Sequence, residues 1–418
     1  MWYAWLEEQR DLLQSISNCS MCGWDAWTSP AKPCMPLAAI GYDWLYRLVR
    51  PTPEPPPFDI STVTIGERSV PVVEQVIDST PFCALRQFTR TRAPVSPGRG
   101  QSRTAPPDIF LCAPLAGHHA VMLRETVETL LQDGDVYVTD WANARDVPLA
   151  AGRFGLDDEV VAVERFMRQL GCAHTHIIAV CQATAPTLAA AALLATEGEA
   201  SPLSLTLIGG PIDTRLNPTA IDRVAQSHSL DWFRDTVIDT VPPRYAGSGR
   251  RVCPGFIQHA AVVASHPHRQ LALESRYWAS RLSGDPTAIA NSQRSVNEYA
   301  AILDMAEDYL LDTIRVIFQE QHLARGELRV DGRLVQPQDL TTTALCTVEG
   351  DRDDITGAGQ THAAHTLCSA IPVQNRCRLT ISDCDHYDLF TGPRWREVIH
   401  PAVVRFWASV RRPGCPYR

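Results

Sequence analysis

An α/β fold on a mostly parallel sheet is what this sequence predicts, and three observations carry that reading. Short apolar runs alternate with helical patterns from residue 108 to about 213. One of those runs, Ile177-Ile-Ala-Val180, ends abruptly at Cys181 and is followed by an alanine-rich helical pattern. After a long helical stretch the strand pattern returns twice, and each return runs into a loop that carries an acid or a histidine. Together these describe an α/β-hydrolase fold with a helical cap inserted before the last strands.

The elements follow in order. Trp2–Ser17 and roughly Pro36–Val49 read as helical, and a proline-rich stretch, residues 51–57, ends them. Residues 1–57 are thus expected to form an N-terminal arm and linker. Val72–Ile77 and Phe82–Phe88 read as paired strands, and the Pro-, Gly-, Arg- and Ser-rich residues 94–107 as a surface loop. Asp108–Ala113 is a strand, His118–Leu131 a helix, Val136–Thr139 a strand and Asp157–Leu170 an amphipathic helix. His176–Val180 and Leu203–Ile208 are strands on either side of the helix Thr184–Thr196. Residues 214–338 are mainly helical, with Ala261–Trp278 and Ala300–Gln321 as the clearest patterns, and read as the cap. Thr342–Val348 and Arg378–Ile381 return to strand, so residues 58–213 and 339–418 make the core. No internal repeat is visible.

Composition narrows the function. The 418 residues carry a net charge of −9 and are 45% hydrophobic, which suits a packed core and gives no basic face for nucleic acid. No basic region precedes an apolar run at the start, and no apolar stretch nears the roughly 20 residues that span a bilayer. A soluble cytoplasmic protein is expected. The 13 cysteines are an odd number and fit small apolar residues in a reducing compartment. Cys19-Ser-Met-Cys22 is a lone CxxC with no second pair, and structural use is the expected one.

The chemistry centres on Val180-Cys181-Gln182. A nucleophile on a tight strand-to-helix turn needs small neighbours two residues away on each side, and Ala179 and Ala183 provide them, although glycine is the usual choice. A thiol paired with a histidine attacks an ester carbonyl readily, and the helix beginning there favours a thiolate. In this fold the chain order is nucleophile, acid, histidine. The loop Glu349-Gly-Asp-Arg-Asp353-Asp354 supplies the acid, with Asp353 preferred, Asp354 second and Asp351 also in competition. His386, just past the last strand, supplies the base. Oxyanion donors are expected from the N–H of Gln182 and from the loop Ala113-Pro-Leu-Ala-Gly117, with Leu115 the candidate and Ala116 the alternative.

Other residues weigh less. Trp141 ends a strand on the crevice side and is a candidate substrate contact, as is His118, which could equally start the next helix. Trp232, Phe233, Tyr245, Phe256 and Trp278 could line an acyl pocket or simply pack the cap. His362 and His365 have a metal-compatible spacing on a predicted helix Thr361–Ser369, but no carboxylate pattern completes a site, so no metal or other cofactor is expected.

These residues resemble a known family. The stretches Gly41-Tyr-Asp-Trp-Leu-Tyr-Arg47, Pro114-Leu-Ala-Gly-His-His119, Val136-Tyr-Val-Thr-Asp-Trp141, Val180-Cys-Gln182 and Gly209-Gly-Pro-Ile-Asp213 are similar to those of the intracellular polyhydroxyalkanoate depolymerases, which degrade stored poly(3-hydroxybutyrate). So are Asp304-Met305, Tyr309-Leu-Leu-Asp-Thr-Ile314, Val348-Glu-Gly350, Asp353-Asp-Ile355, Gly357-Ala-Gly-Gln360 and Arg394-Trp-Arg-Glu397. The resemblance implies a Cys–Asp–His triad on Cys181, Asp353 and His386. Ala183 replaces a proline and Asp385 a glycine found in relatives. It further implies an insoluble granule surface and 3-hydroxyacyl ester chains as partners, location on storage granules, and room for a homo-oligomer. Two alternatives stay open. Polyhydroxyalkanoate synthases share the fold and the nucleophile, but their elbows carry glycines on both sides of the cysteine and they use acyl-coenzyme A. A non-enzymatic granule-coat protein would not need an intact triad.

Overall fold

The computed structural model describes residues 2–9, 11–12, 54–91, 106–265 and 267–410. The expected helix at residues 36–49, the Cys19/Cys22 pair, most of the 94–107 loop and the Gly41–Arg47 stretch lie outside these residues. Nine strands form one sheet: β1 (Thr62–Ile65), β2 (Arg68–Ser79), β3 (Cys83–Arg90), β4 (Asp108–Cys112), β5 (Val136–Trp141), β6 (Thr175–Val180), β7 (Ser204–Ile208), β8 (Ala344–Gly350) and β9 (Arg376–Ile381). Their order is β1-β2-β3-β5-β4-β6-β7-β8-β9. β2 runs antiparallel to β1 and β3, and β3 antiparallel to β5. Every later pairing is parallel. With the β1 hairpin strand set aside, this is the strand order of the α/β-hydrolase fold.

The parallel strands are apolar on both faces because helices cover both. Phe110, Ile177, Ala179, Leu205 and Leu207 face one core, with α2 (Leu156–Leu170) and α3 (Thr184–Thr196) against them. Ile109, Leu111, Ile178, Val180, Ile208 and Val348 alternate to the other face. There they meet α1 (Arg124–Leu130) and the helix His400–Ser409, through Val127, Leu130, Val403 and Phe406. α3 is buried along almost its whole length, and its alanines let it lie close to the sheet.

Several expected elements are shorter or broken, each for a local reason. His118 is bridged to Ile302 and the His119 N–H donates to the Ala301 carbonyl (3.0 Å). The helix expected from His118 therefore starts with a turn at Ala120–Leu123 and becomes α-helical only at Arg124. The stretch expected to be helical over 261–278 is two helices, Gly255–Ser265 and Pro267–Ser283, the second opening on a proline. The expected helix 300–321 begins as extended chain around the Met305–Ala306 strand and turns helical at Glu307, because Leu303 N–H bonds the Gly117 carbonyl (3.1 Å) and Asp304 is tied elsewhere. Only Ala364–Leu367 of the expected 361–369 helix is helical.

The N-terminal helical residues lie against the inserted region between β7 and β8. Tyr3 is fully buried and tilted against Phe256, its N–H donates to Asp239 (2.8 Å) and its hydroxyl to Asp304 (2.5 Å). Asp304 also accepts from the Gly255 N–H (2.8 Å), while its own N–H donates to Asn143 (3.1 Å). One buried residue thus joins the N-terminus and the insertion through its carboxyl and the loop after β5 through its N–H. Asp304→Ala leaves those donors without an acceptor and is expected to cost about 2–4 kcal/mol, measured by denaturant unfolding. A variant as stable as wild type would show that water replaces the carboxyl.

Candidate active site

The site is built at the carboxyl ends of β6, β7, β8 and β9, next to β4, where the strand order reverses. Cys181 follows β6 directly and holds φ +54°, a left-handed backbone that a non-glycine residue rarely adopts. The turn relaxes at once into a helix, and the Thr184 hydroxyl donates back to the Cys181 carbonyl (2.9 Å). Ala179 and Ala183 are buried on either side.

The tightness has a second cause that lies on the next strand. A Cβ on Gly210 would sit 1.8 Å from the Thr184 hydroxyl oxygen and 2.4 Å from the Cys181 carbonyl. A Cβ on Gly209, itself at φ +56°, would meet Leu389 at 2.8 Å, the His386 ring at 3.3 Å and Asp353 at 3.4 Å. The glycine pair after β7 therefore leaves the space in which the turn and the His386–Asp353 pair stand. Sequence reasoning noted these glycines within the family-like stretch Gly209-Gly-Pro-Ile-Asp213.

Of the acids after β8, Asp353 reaches the histidine. Its Oδ2 lies 2.8 Å from His386 Nδ1, and its Oδ1 accepts the N–H groups of Ile355 (2.9 Å) and Thr356 (2.8 Å). Asp351 instead accepts from the Cys384 N–H (3.2 Å). His386 and Asp353 side chains are 3% and 2% exposed, so the pair is screened from water. Burial alone would lower the His386 proton affinity. The Asp353 carboxylate and the Cys181 side chain, which hydrogen-bonds the same ring, outweigh it and hold the imidazole well above its ordinary range.

Below the elbow lies a polar chain absent from the sequence reading. The Leu115 N–H donates to the Gln182 side-chain oxygen (3.3 Å), and the Gln182 amide donates to Glu159 on α2 (3.1 Å). Tyr309, from the helix Glu307–Asp312 within the insertion, donates to the same Glu159 oxygen (2.8 Å). Leu115, expected as a free oxyanion donor, thus has its N–H engaged. Glu159 is completely buried, and its other oxygen has no hydrogen-bond partner among the described residues. Burial pushes this carboxyl up to about 7, against the bonds from Gln182 and Tyr309.

The expected substrate contacts are placed otherwise. Trp141 is 2% exposed and its indole N–H donates to the Ala113 carbonyl (2.8 Å), so it props the loop after β4 from beneath. His118 is buried, hydrogen-bonds the Tyr387 hydroxyl (3.1 Å) and is pushed down to about 3, chiefly by burial. Phe233 packs with Ala225, Leu311 and Ile314, and Trp232 stacks on His228. Phe256 takes the N-terminal Trp2 and Tyr3, and Tyr245 donates to Glu7 (2.8 Å). The rings beside His386 are instead Tyr387 (5.8 Å) and Phe390 (5.6 Å), with Tyr299 of the insertion behind Tyr387 (5.7 Å) and the Arg269 guanidinium 4.2 Å over the Tyr387 ring. Tyr387 and Phe390 could have been found from their spacing to His386. His362 and His365 both hydrogen-bond Thr347 (2.6 and 2.9 Å) rather than converging on a site. Among the described residues no cluster of three or more His, Cys, Asp or Glu side chains is arranged to hold a metal.

The comparisons bear on the same region. Residues 209–411, which hold the glycine pair, Asp353 and His386, match the sequence family described as "PHB de-polymerase C-terminus". That span is a little under half of the chain. The protein is a carboxylic ester hydrolase. Among solved structures it is similar to a monoacylglycerol lipase of Paleococcus ferrophilus at 12% identity and a TM-score of 0.43, covering 73% of this chain and 96% of that one. Others are the 2-hydroxy-6-oxo-6-phenylhexa-2,4-dienoate hydrolase of Rhodococcus sp. strain RHA1 (13%, TM-score 0.41, 81% and 99% covered) and carboxyl esterase 2 of Tuber melanosporum (9%, TM-score 0.43, 82% and 88%). The fold assignment rests on the strand order. No curated protein sequence matches the chain.

Two predictions follow from the geometry. Gly210→Ala forces the Thr184 hydroxyl or the Cys181 peptide to move and is expected to lower kcat on a soluble ester at least about tenfold, with circular dichroism unchanged; full activity would show that the turn tolerates a side chain. Glu159→Gln tests the buried carboxyl. A group whose folded pKa is raised loses its stability contribution as pH rises from the unfolded value of about 4.5 to about 7. The variant is expected to gain on the order of 2–3 kcal/mol over wild type across that interval and to hold the gain above it. A difference independent of pH in unfolding measurements would contradict a buried titrating carboxyl.

Proposed function

We propose that the protein depolymerises stored polyhydroxyalkanoate, poly(3-hydroxybutyrate) above all, through Cys181, Asp353 and His386 and a thioester acyl-enzyme. The observation that carries this reading is the 2.8 Å contact of Asp353 with His386 Nδ1, beside a cysteine held at φ +54° on a strand-to-helix turn. His386, with a raised proton affinity, takes the thiol proton as the sulfur attacks the ester carbonyl. Asp353 fixes the ring with Nδ1 protonated and stabilises the imidazolium. The oxyanion is received by the Gln182 N–H and an N–H of the loop after β4. The C–O bond breaks, the alcohol leaves with the proton from His386, and water activated by the same ring then cleaves the thioester. Residues 214–338 serve as the cap over this site.

The family match supports the polymer as substrate. An insoluble polymer requires the enzyme to work at a granule surface inside the cell, and the exposed Trp5 (58%) and Leu12 (56%) of the N-terminal helix are apolar groups able to meet one. No helix among the described residues is long and apolar enough to cross a membrane.

Amorphous poly(3-hydroxybutyrate) granules incubated with wild type should release soluble 3-hydroxybutyrate and its oligomers. Cys181→Ala should lower that release at least about a hundredfold. Coenzyme A freed from 3-hydroxybutyryl-coenzyme A with no release from granules would point to a synthase, and release that persists in Cys181→Ala would remove the cysteine from the mechanism.

A further inference from the structure

The loop after β4 is held at three points. Leu303 N–H bonds the Gly117 carbonyl (3.1 Å), His119 N–H bonds the Ala301 carbonyl (3.0 Å), and Leu115 N–H bonds the Gln182 carboxamide (3.3 Å). Between the Leu115 and Gly117 attachments only Ala116 is left, and its N–H has no partner among the described residues. The position of that N–H relative to Cys181 is therefore set by whatever holds the Gln182 side chain.

What holds it is a single carboxyl. The Gln182 oxygen must face the Leu115 donor, so its amide hydrogens face Glu159, which accepts one at 3.1 Å. Glu159 is in turn located by the Tyr309 hydroxyl at 2.8 Å. Among the described residues no cation pairs with it, and the titratable groups that feel its charge are Tyr309, Cys83 and Cys112. A fully buried carboxyl with one oxygen unpartnered is costly to the fold. A leucine or methionine would fill the same place more cheaply.

We infer that Glu159 is a positioning residue for ester cleavage: through the Gln182 carboxamide it sets the distance between the elbow and the loop after β4, and so aims the Ala116 N–H at the oxyanion. The inference rests on the proposed role of Cys181 as nucleophile. It assigns the loop donor to Ala116 rather than Leu115. It also ties the oxyanion site to Tyr309, within the inserted region, by one chain of three hydrogen bonds.

The test separates attack by the sulfur from stabilisation of the oxyanion. Iodoacetamide alkylates a thiolate by displacing iodide and develops no oxyanion, whereas p-nitrophenyl butyrate hydrolysis needs one. Glu159→Met keeps the volume and removes the acceptor. It should lower kcat on the ester at least about tenfold with KM within about threefold, while the alkylation rate of Cys181, followed by peptide mass, stays within about twofold of wild type. Glu159→Gln, whose carbonyl can accept the same hydrogen bonds, should restore most of kcat. If Glu159→Met fails to fold, Gln182→Met breaks the chain from its other end and carries the same expectation. Wild-type kcat in the methionine variant, or kcat and alkylation falling together, would overturn the inference. Wild type whose ester hydrolysis survives full alkylation of Cys181 would instead overturn the nucleophile assignment.

Discussion

The peptide at Cys181 turns where it does because Gly210 leaves room for it. With φ at +54°, the strand end is bent sharply, and the bend is kept by the Thr184 hydroxyl on the Cys181 carbonyl and by a neighbouring strand end that has no side chain to put in the way. Everything at the site depends on that contact. α3 starts just past that bend, and the absence of a side chain on Gly209 leaves the space beside the His386 ring and Asp353. Strain of this kind persists only where the surroundings over-determine it. Here they do: α3 is buried almost throughout, and β6 is paired on both sides by parallel strands.

Two buried acids at the site have opposite duties. Asp353 accepts three hydrogen bonds, two of them from backbone, and holds a histidine whose proton affinity is raised. Glu159 has no cation paired with it among the described residues, is pushed up to about 7 by burial and accepts from an amide. In the proposed mechanism the first organises proton transfer and the second organises the loop opposite Cys181. Environment rather than residue type separates the two roles.

Much of the fold was legible because the parallel strands are short apolar runs punctuated by turn residues, and each was found within a few residues of its observed limits. Chain order and places after strands singled out Cys181, Asp353 and His386, and of the acids in that loop it is Asp353 that contacts the histidine. What was not readable depends on contacts between distant segments. The bridge of His118 to Ile302 shortens one helix and delays another, and no local pattern in either segment announces it. Trp141 looked like a crevice residue because it ends a strand, yet its indole is spent on the Ala113 carbonyl. Leu115 was chosen as a donor from its loop position, and the glutamine that engages it is 67 residues away. Glu159 sat unremarked among the acids of an amphipathic helix, where solvated charge is the ordinary expectation.

The account turns on a thioester at Cys181. Rapid quenching of the enzyme with a soluble 3-hydroxybutyrate oligomer, followed by peptide mass analysis, measures it directly. The expected result is a transient 3-hydroxyacyl adduct on the peptide containing Cys181, released by hydroxylamine and more abundant when Asp353 is replaced by asparagine and the second step slows. Product formed with Cys181 unmodified at every time point, or an adduct on a serine, would contradict it.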